Sequence, residues 1–425
     1  MPLRILFLNP GAILGGAERV LLDLIASVRA LAPEVHVGLV VGAPGPLVDA
    51  VRAHGAEVHV VPLPDRLAGL GDSHLGSASP FVRLRMARGA KELAAYASRL
   101  RKVIRTFEPS VIHTHGIKMH LLAAAVRPRA VPLVWHVHDF LGARPVSARF
   151  FRLGQRRADL AIANSRAVAE DTRKLAPELE VRVMYNGIDE ATFSPDGPRA
   201  PLDAWAGMEP LDRLGPGALR VGLIATYARW KGHEVFLDAI ARLAERTDLP
   251  PIRFYIIGGP VYATGNHGQY SNEELRALAE ARGIASRVAF VPFQEHPQSV
   301  YRALDMVVHA STRPEPFGMI IVEAMATARP VIVSHAGGAA ELYRDGVDGV
   351  GAPPGDAARL AESIARLAED ASLRQKLGQA ARLTAESRFS RERLGAELLA
   401  IYSDLFTRYG SVTGLKRPRL TKIFQ

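Results

Sequence analysis

Short β-branched runs alternate with amphipathic helical stretches, stop, and then alternate again, and this rhythm restricts the fold more than any other feature of the chain. Runs at 4–9, 35–41, 57–61, 110–114, 132–137, 160–164 and 181–185 read as strands, with amphipathic stretches such as 17–31 and 91–107 between them. A parallel pair of strands needs a crossover, usually a helix, and the helices bury both faces of the sheet, so such alternation predicts a parallel sheet sandwiched between helices. The pattern breaks at Asn186-Gly187-Ile188-Asp189 and passes through a stretch rich in Pro, Gly and Asp. It restarts with strands expected at 220–225, 253–257, 288–291, 306–310 and 330–334, and helices at 233–245, 272–282, 318–327, 356–370 and 372–386. The expectation is α/β throughout: two doubly wound domains, 1–190 and 191–388, then 389–425 as a helix packing back on the first domain plus a basic tail. In that helix the apolar positions are Leu394, Leu398, Leu399, Ile401, Tyr402, Leu405 and Phe406.

Composition removes several functions. The 425 residues contain no cysteine, which excludes disulfides, thiolate nucleophiles and cysteine-held metal sites. Net charge is +10, so an acidic partner has to be considered: nucleic acid, an anionic membrane or an acidic substrate. The basic residues are scattered and no aromatic platform accompanies them, so nucleic acid is not expected. Arg99, Arg101, Lys102 and Arg105 recur at near-helical spacing within 91–107 and form the candidate for peripheral membrane contact, against the plainer reading of a solvated helix face. The apolar run 3–8 is too short for a signal core or a span, and no run of 18 apolar residues occurs, so a cytoplasmic location is expected, peripheral on the inner membrane face at most.

Ligands of open parallel sheets bind beyond the carboxyl ends of the strands, and the chemistry-bearing motifs fall there. The strongest is Glu315-Pro316-Phe317-Gly318-Met319-Ile320-Ile321-Val322-Glu323, after the apolar run 306–310. Pro314 and Pro316 keep its loop non-helical, and Gly318 opens a helix whose free N–H groups suit phosphate or sugar oxygens. Two carboxylates separated by seven residues, Glu315 in the loop and Glu323 on a short apolar helix, suit hydrogen bonds from vicinal hydroxyls, the alternative being a cap and a buried ion pair. Gly15-Gly16 follows the first strand and opens a helix, where backbone can approach an anion. Arg229 and Lys231 follow the first strand of the second domain, where two cations can neutralise a diphosphate leaving group. Gly258-Gly259 follows an apolar strand and opens the polar loop 261–271, either a surface insertion or a loop over a nucleotide. His138 follows the fifth strand. His136 and His138 are read as pointing to opposite faces, which speaks against a histidine metal pair, and His113 and His115 are read in the same way. No metal site is expected.

The string from Glu315 to Ala326 resembles the Glu-x7-Glu element of family 4 of the glycosyltransferases, a retaining family with the GT-B fold: two Rossmann-like domains facing across a cleft. Gly15-Gly16-Ala17-Glu18-Arg19, Trp135-His136-Val137-His138-Asp139, Asn164-Ser165, Asn186-Gly187-Ile188-Asp189, Trp230-Lys231-Gly232, Gly337-Gly338-x-x-Glu341 and Gly346-x-x-Gly349 match further segments in order. The family's Gly-Arg after the strand is Ala225-Thr226 here, and Arg229 is the candidate replacement. The resemblance implies an enzyme that moves a sugar from a UDP-, GDP- or ADP-sugar to an acceptor hydroxyl, of a glycan or lipid-linked glycan, with retention and without a metal or cofactor. On the same ground Lys231 and Arg229 serve the leaving diphosphate, Glu315 the donor-sugar hydroxyls, Glu323 the ribose, and His138 the sugar near its reacting end. Phe317, Gly318 and Met319 would offer backbone contacts to the sugar, and Gly15 and Gly16 would lie near the diphosphate. The alternatives are another GT-B enzyme such as a sugar-nucleotide epimerase, whose extra carboxylates are not found, or a non-catalytic binding module.

Overall fold

The structure, a computed structural model, describes residues 2–64, 80–260 and 268–413. Most of the polar loop 261–271 and the basic tail beyond residue 413 therefore fall outside the described residues. The chain divides into two compact units, one of Met1–Gly187 with Arg391–Gln425, the other of Ile188–Ser390.

The first unit is built on seven parallel strands: β1 (Arg4–Asn9), β2 (His36–Val41), β3 (Glu57–Val60), β4 (Val111–His115), β5 (Leu133–Val137), β6 (Leu160–Ala163) and β7 (Val181–Val183). Their order is β3-β2-β1-β4-β5-β6-β7. The chain runs outward from β1 to β3 and returns to β4 on the other side, so the topological switch point lies between β1 and β4. Alternate residues of each strand serve opposite faces. One face sends Phe7, Val37, Leu39, Val134 and Ile162 into a core shared with helices α1 (Gly16–Leu31) and, near the end of the chain, Glu392–Thr413. The other sends Leu6, Leu8, Ile112 and Trp135 against Tyr96, Leu100, Ile104 and Phe107 of α2 (Pro80–Phe107). Helix α2 begins at Pro80 rather than at 91. Gly89, which costs ~1 kcal/mol in a helix, does not end it. Arg99, Arg101, Lys102 and Arg105 all lie on its exposed side.

The second unit holds β8 (Leu219–Ile224), β9 (Ile252–Gly258), β10 (Val288–Pro292), β11 (Met306–His309), β12 (Val331–Ser334) and β13 (Val350–Ala352), all parallel in the order β10-β9-β8-β11-β12-β13. Here the switch point lies between β8 and β11. Its helices include α3 (His233–Ala244), α4 (Met319–Ala326) and α5 (Ala371–Phe389). Helix α6 (Glu392–Thr413) then belongs to the first unit, where its Leu394, Leu398, Leu399, Ile401, Tyr402, Leu405 and Phe406 are all buried. Gly395 of α6 lies so close to α1 that its N–H donates to Ser27 Oγ at 2.8 Å, and Ser27 Oγ donates in turn to the Glu392 carbonyl at 3.1 Å. Among the described residues no helix is long and apolar enough to cross a membrane.

Candidate active site

The two strands that flank the switch point of the second unit each deliver one charged side chain. After β8 the chain makes a single turn at Arg229–Lys231 before α3 starts. Gly232 between them has φ of 81°, and a Cβ there would collide with the Ala310 carbonyl oxygen, so glycine is what lets this turn sit against the end of β11. After β11 the loop 311–318 carries Glu315. It is fastened on the next strand and the turn after it: Ser334 Oγ donates to the Ser311 carbonyl at 2.5 Å, and Gly338 N–H donates to the Glu315 carbonyl at 2.7 Å. Gly318, with φ of 108°, then turns the chain into α4, in a left-handed conformation that any larger residue adopts at a cost.

These loops bring Lys231 Nζ to 2.6 Å from Glu315 Oε1. On the other carboxylate oxygen, Ser311 Oγ donates at 2.7 Å and His309 Nε2 lies at 3.0 Å. Burial by itself would raise the Glu315 pKa; the Lys231 charge and the His309 hydrogen bond overcome it and hold the carboxyl far below its usual range. Glu315 is therefore an ionised, buried carboxylate with three donors on it. A carboxylate offers about four acceptor positions, which leaves one for a ligand hydroxyl. Lys231 Nζ also lies 4.2 Å from the centre of the Trp230 ring, and an ammonium has three N–H groups, so it keeps donors for an anion while paired with Glu315.

On α4, Glu323 is half-buried and accepts from the Tyr301 hydroxyl at 2.5 Å. Phe317 is buried edge-to-face against Phe389, which anchors the backbone of Phe317, Gly318 and Met319 at the head of α4. Gly258 ends β9, with its Cα against the Ala225 carbonyl. Arg229 is placed differently from Lys231: its guanidinium lies 4.2 Å from the centre of the Tyr270 ring and pairs with Glu274 at 3.1 Å, with two fifths of its side chain exposed. His309, Ser311 and Tyr301 escaped the sequence reading. The signal for the first two was a His and a Ser ending an otherwise apolar strand, four to six residues before the carboxylate.

In the first unit Gly15 caps α1 without a side-chain hydrogen bond, and Gly16 opens the helix, exposed to solvent. His138 follows β5 and its Nε2 lies 3.0 Å from His115 Nδ1. Burial pushes the His138 ring down to about 4. The strand-face reading of the histidines is corrected here. Residues two apart on a strand share a face, and the His136 and His138 rings stand 4.1 Å apart, those of His113 and His115 5.0 Å apart.

The comparisons with known proteins agree with this architecture. The family "Glycosyl transferases group 1" matches residues 217–384, and "Glycosyltransferase Family 4" matches residues 14–192. The D-inositol 3-phosphate glycosyltransferase of Mycobacterium sp. (strain KMS) is 30% identical over 310 residues, 68% of this chain and 66% of the relative. That of Mycolicibacterium vanbaalenii is 30% identical over 317 residues, 68% of this chain and 67% of the relative. The matches thus span about two thirds of these relatives' own length. Among solved structures, Anabaena HepE in complex with UDP superposes with a TM-score of 0.74 at 27% identity, over 95% of this chain and all of that one. Sucrose-phosphate synthase from Thermosynechococcus elongatus, at 19% identity and a TM-score of 0.72 over 96% of this chain and 100% of that one, shares the fold. Two Rossmann-like units, the two family matches and these relatives together show that the chain belongs to the group 1 glycosyltransferases of family 4, with the GT-B fold.

Proposed function

We propose that the chain transfers a sugar from a UDP-sugar to an acceptor hydroxyl with retention of anomeric configuration. The observation that carries this reading is the pairing of half-buried Lys231 with buried Glu315 at the switch point of the second sheet, at the head of α4. Lys231 meets the diphosphate, where negative charge grows as the glycosidic bond breaks. Glu315 holds Lys231 in place and accepts from a donor-sugar hydroxyl with its remaining position. Three donors already neutralise it, so it is a poor nucleophile. This favours front-face transfer, with the leaving phosphate taking the acceptor proton. Glu323 receives the ribose hydroxyls. Gly15, Gly16 and His138 keep the roles that the family resemblance gives them, and Arg229 supports the leaving group only if it exchanges Glu274 for phosphate. Support for uridine comes from the relative: Anabaena HepE was crystallised with UDP and with UDP-glucose.

The test is a thermal-shift comparison of UDP, GDP and ADP. A ligand of the native state at a hundred times its Kd adds ~2.7 kcal/mol, so UDP at millimolar concentration raises the melting midpoint by several degrees. If none of the three moves the midpoint, the reading loses its main support.

The two carboxylates separate by kinetics. Losing a charge-assisted partner costs ~1.5–3 kcal/mol, roughly tenfold to a hundredfold. Glu323→Ala loses that in UDP affinity, whereas Glu315→Ala loses it in kcat with UDP affinity little changed. Equal losses of UDP affinity in both variants, measured by calorimetry, contradict the division of roles.

A further inference from the structure

The first sheet buries a group of histidines that sugar transfer does not use. His115 and His136 are direct partners on adjacent strands β4 and β5, and His113 precedes His115 on the same face. The centres of the three rings form a nearly equilateral triangle, with sides of 5.0, 5.2 and 4.9 Å. All three residues are at most 1% exposed. Two of their nitrogens have outer partners: Tyr402 of α6 lies 2.6 Å from His113 Nδ1, and His138 Nε2 lies 3.0 Å from His115 Nδ1. The Nε2 atoms of His113 and His115 and both ring nitrogens of His136 are buried without a hydrogen-bond partner.

A neutral imidazole has one N–H and one lone pair, and burying either without a partner is costly. With His113 and His115 donating from Nδ1 to their outer partners, both Nε2 lone pairs remain and need a donor or a cation. As the rings stand, one nitrogen from each of the three lies within 4.8 Å of the other two. A tetrahedral zinc site with Zn–N bonds of ~2.0–2.1 Å sets its nitrogens roughly 3.3 Å apart, within reach of small ring rotations. Ligating histidines commonly pass their other N–H to an outer acceptor that fixes the tautomer, and Tyr402 and His138 occupy those positions for two of the three. A donor set of imidazoles alone selects a zinc-type transition ion over magnesium or calcium, which prefer oxygen.

We propose that His113, His115 and His136 bind one divalent transition-metal ion of the zinc type, a structural ion inside the first unit that fastens β4 and β5 beneath α6. The fourth position falls to a water molecule. The ion takes no part in the Lys231–Glu315 chemistry.

The full-length chain should be produced in zinc-supplemented and, separately, cobalt-supplemented medium, passed over a desalting column, and its metal content measured. The expected result is about one ion per chain, with the intense visible absorption of tetrahedral cobalt in the second sample. Zinc, and not magnesium, raises the melting midpoint of metal-stripped protein. His136→Ala and His113→Ala lose the ion, whereas the double substitution His36→Ala/His59→Ala, which removes a half-buried histidine pair beside Glu57, keeps it. Folded wild-type protein that carries no metal from either medium and takes up none from micromolar zinc overturns the proposal. So does a cobalt spectrum of octahedral type, or retention of the ion in His136→Ala and His113→Ala. Should those two variants fail to fold, the metal content and cobalt spectrum of the wild type decide alone.

Discussion

Lys231→Met should lower turnover by about a hundredfold to a thousandfold, the range found when one preorganised donor to a developing negative charge is removed. The methionine keeps most of the apolar stem and removes the ammonium, with its charge, its N–H donors and its place over the Trp230 ring. Two effects then add. The leaving diphosphate loses its cation, which acts on kcat, and Glu315 loses the strongest of the influences that keep it ionised in a buried site. Breaking a buried pair by removing one member costs ~3–5 kcal/mol of stability, so the assay has to be normalised to folded protein by circular dichroism. Lys231→Arg keeps the charge but cannot match both the 2.6 Å contact and the ring stacking, and should recover only part of the activity. A folded Lys231→Met protein with wild-type kcat on a UDP-sugar would remove Lys231 from the chemistry.

A large loss of stability is also expected away from the site, at Asp203. This buried carboxylate gathers Arg253 at 2.5 Å, Tyr255 at 2.5 Å, Arg220 at 2.9 Å and the Leu211 N–H at 3.1 Å, so it ties the segment before β8 to β8 and β9. Burial would raise its pKa, but the Tyr255, Arg220 and Arg253 hydrogen bonds reverse that, and it stays ionised. Asp203→Ala leaves Arg253, only 4% exposed, with the Glu209 carbonyl as its remaining acceptor. Stranding a buried charge costs ~3–5 kcal/mol. At ~2–4 °C per kcal/mol for a domain of this size, the melting midpoint falls by on the order of 10 °C. Asp203→Asn, which keeps the acceptor but not the charge, should fall between. An unchanged midpoint in Asp203→Ala would mean that the network is surface decoration.

The parallel sheets were legible because burial on both faces writes many of the strands as continuous apolar runs, as in Met306-Val307-Val308 or 254–257, bounded by turn residues. β13 was not read as a strand, since Val350-Gly351-Ala352 is too short to show any period. Glu315, Lys231 and Gly318 stood out through local chemistry at strand ends. Tyr301, His309 and Ser311 did not, because their role is to occupy an acceptor delivered by another segment, and tertiary partnerships leave no local period. The histidine cluster was visible in principle. His113-x-His115 and His136-x-His138 each put both rings on one face, and only the pairing of His115 with His136 was beyond sequence reasoning.

Helix α6 completes the first unit, yet it follows all of the second unit in the chain. A ribosome emitting this polypeptide at ~5–20 residues per second therefore delivers residues 188–390 before the helix that covers Phe7, Val134 and the histidine face, a delay on the order of tens of seconds. During that interval the second unit can fold to completion while the earlier-made sheet waits with one apolar face uncovered by its last helix. The first unit is therefore closed last although it is begun first, and its sheet, covered on that face by α1 but not yet by α6, is the state in which a chaperone has most to shield.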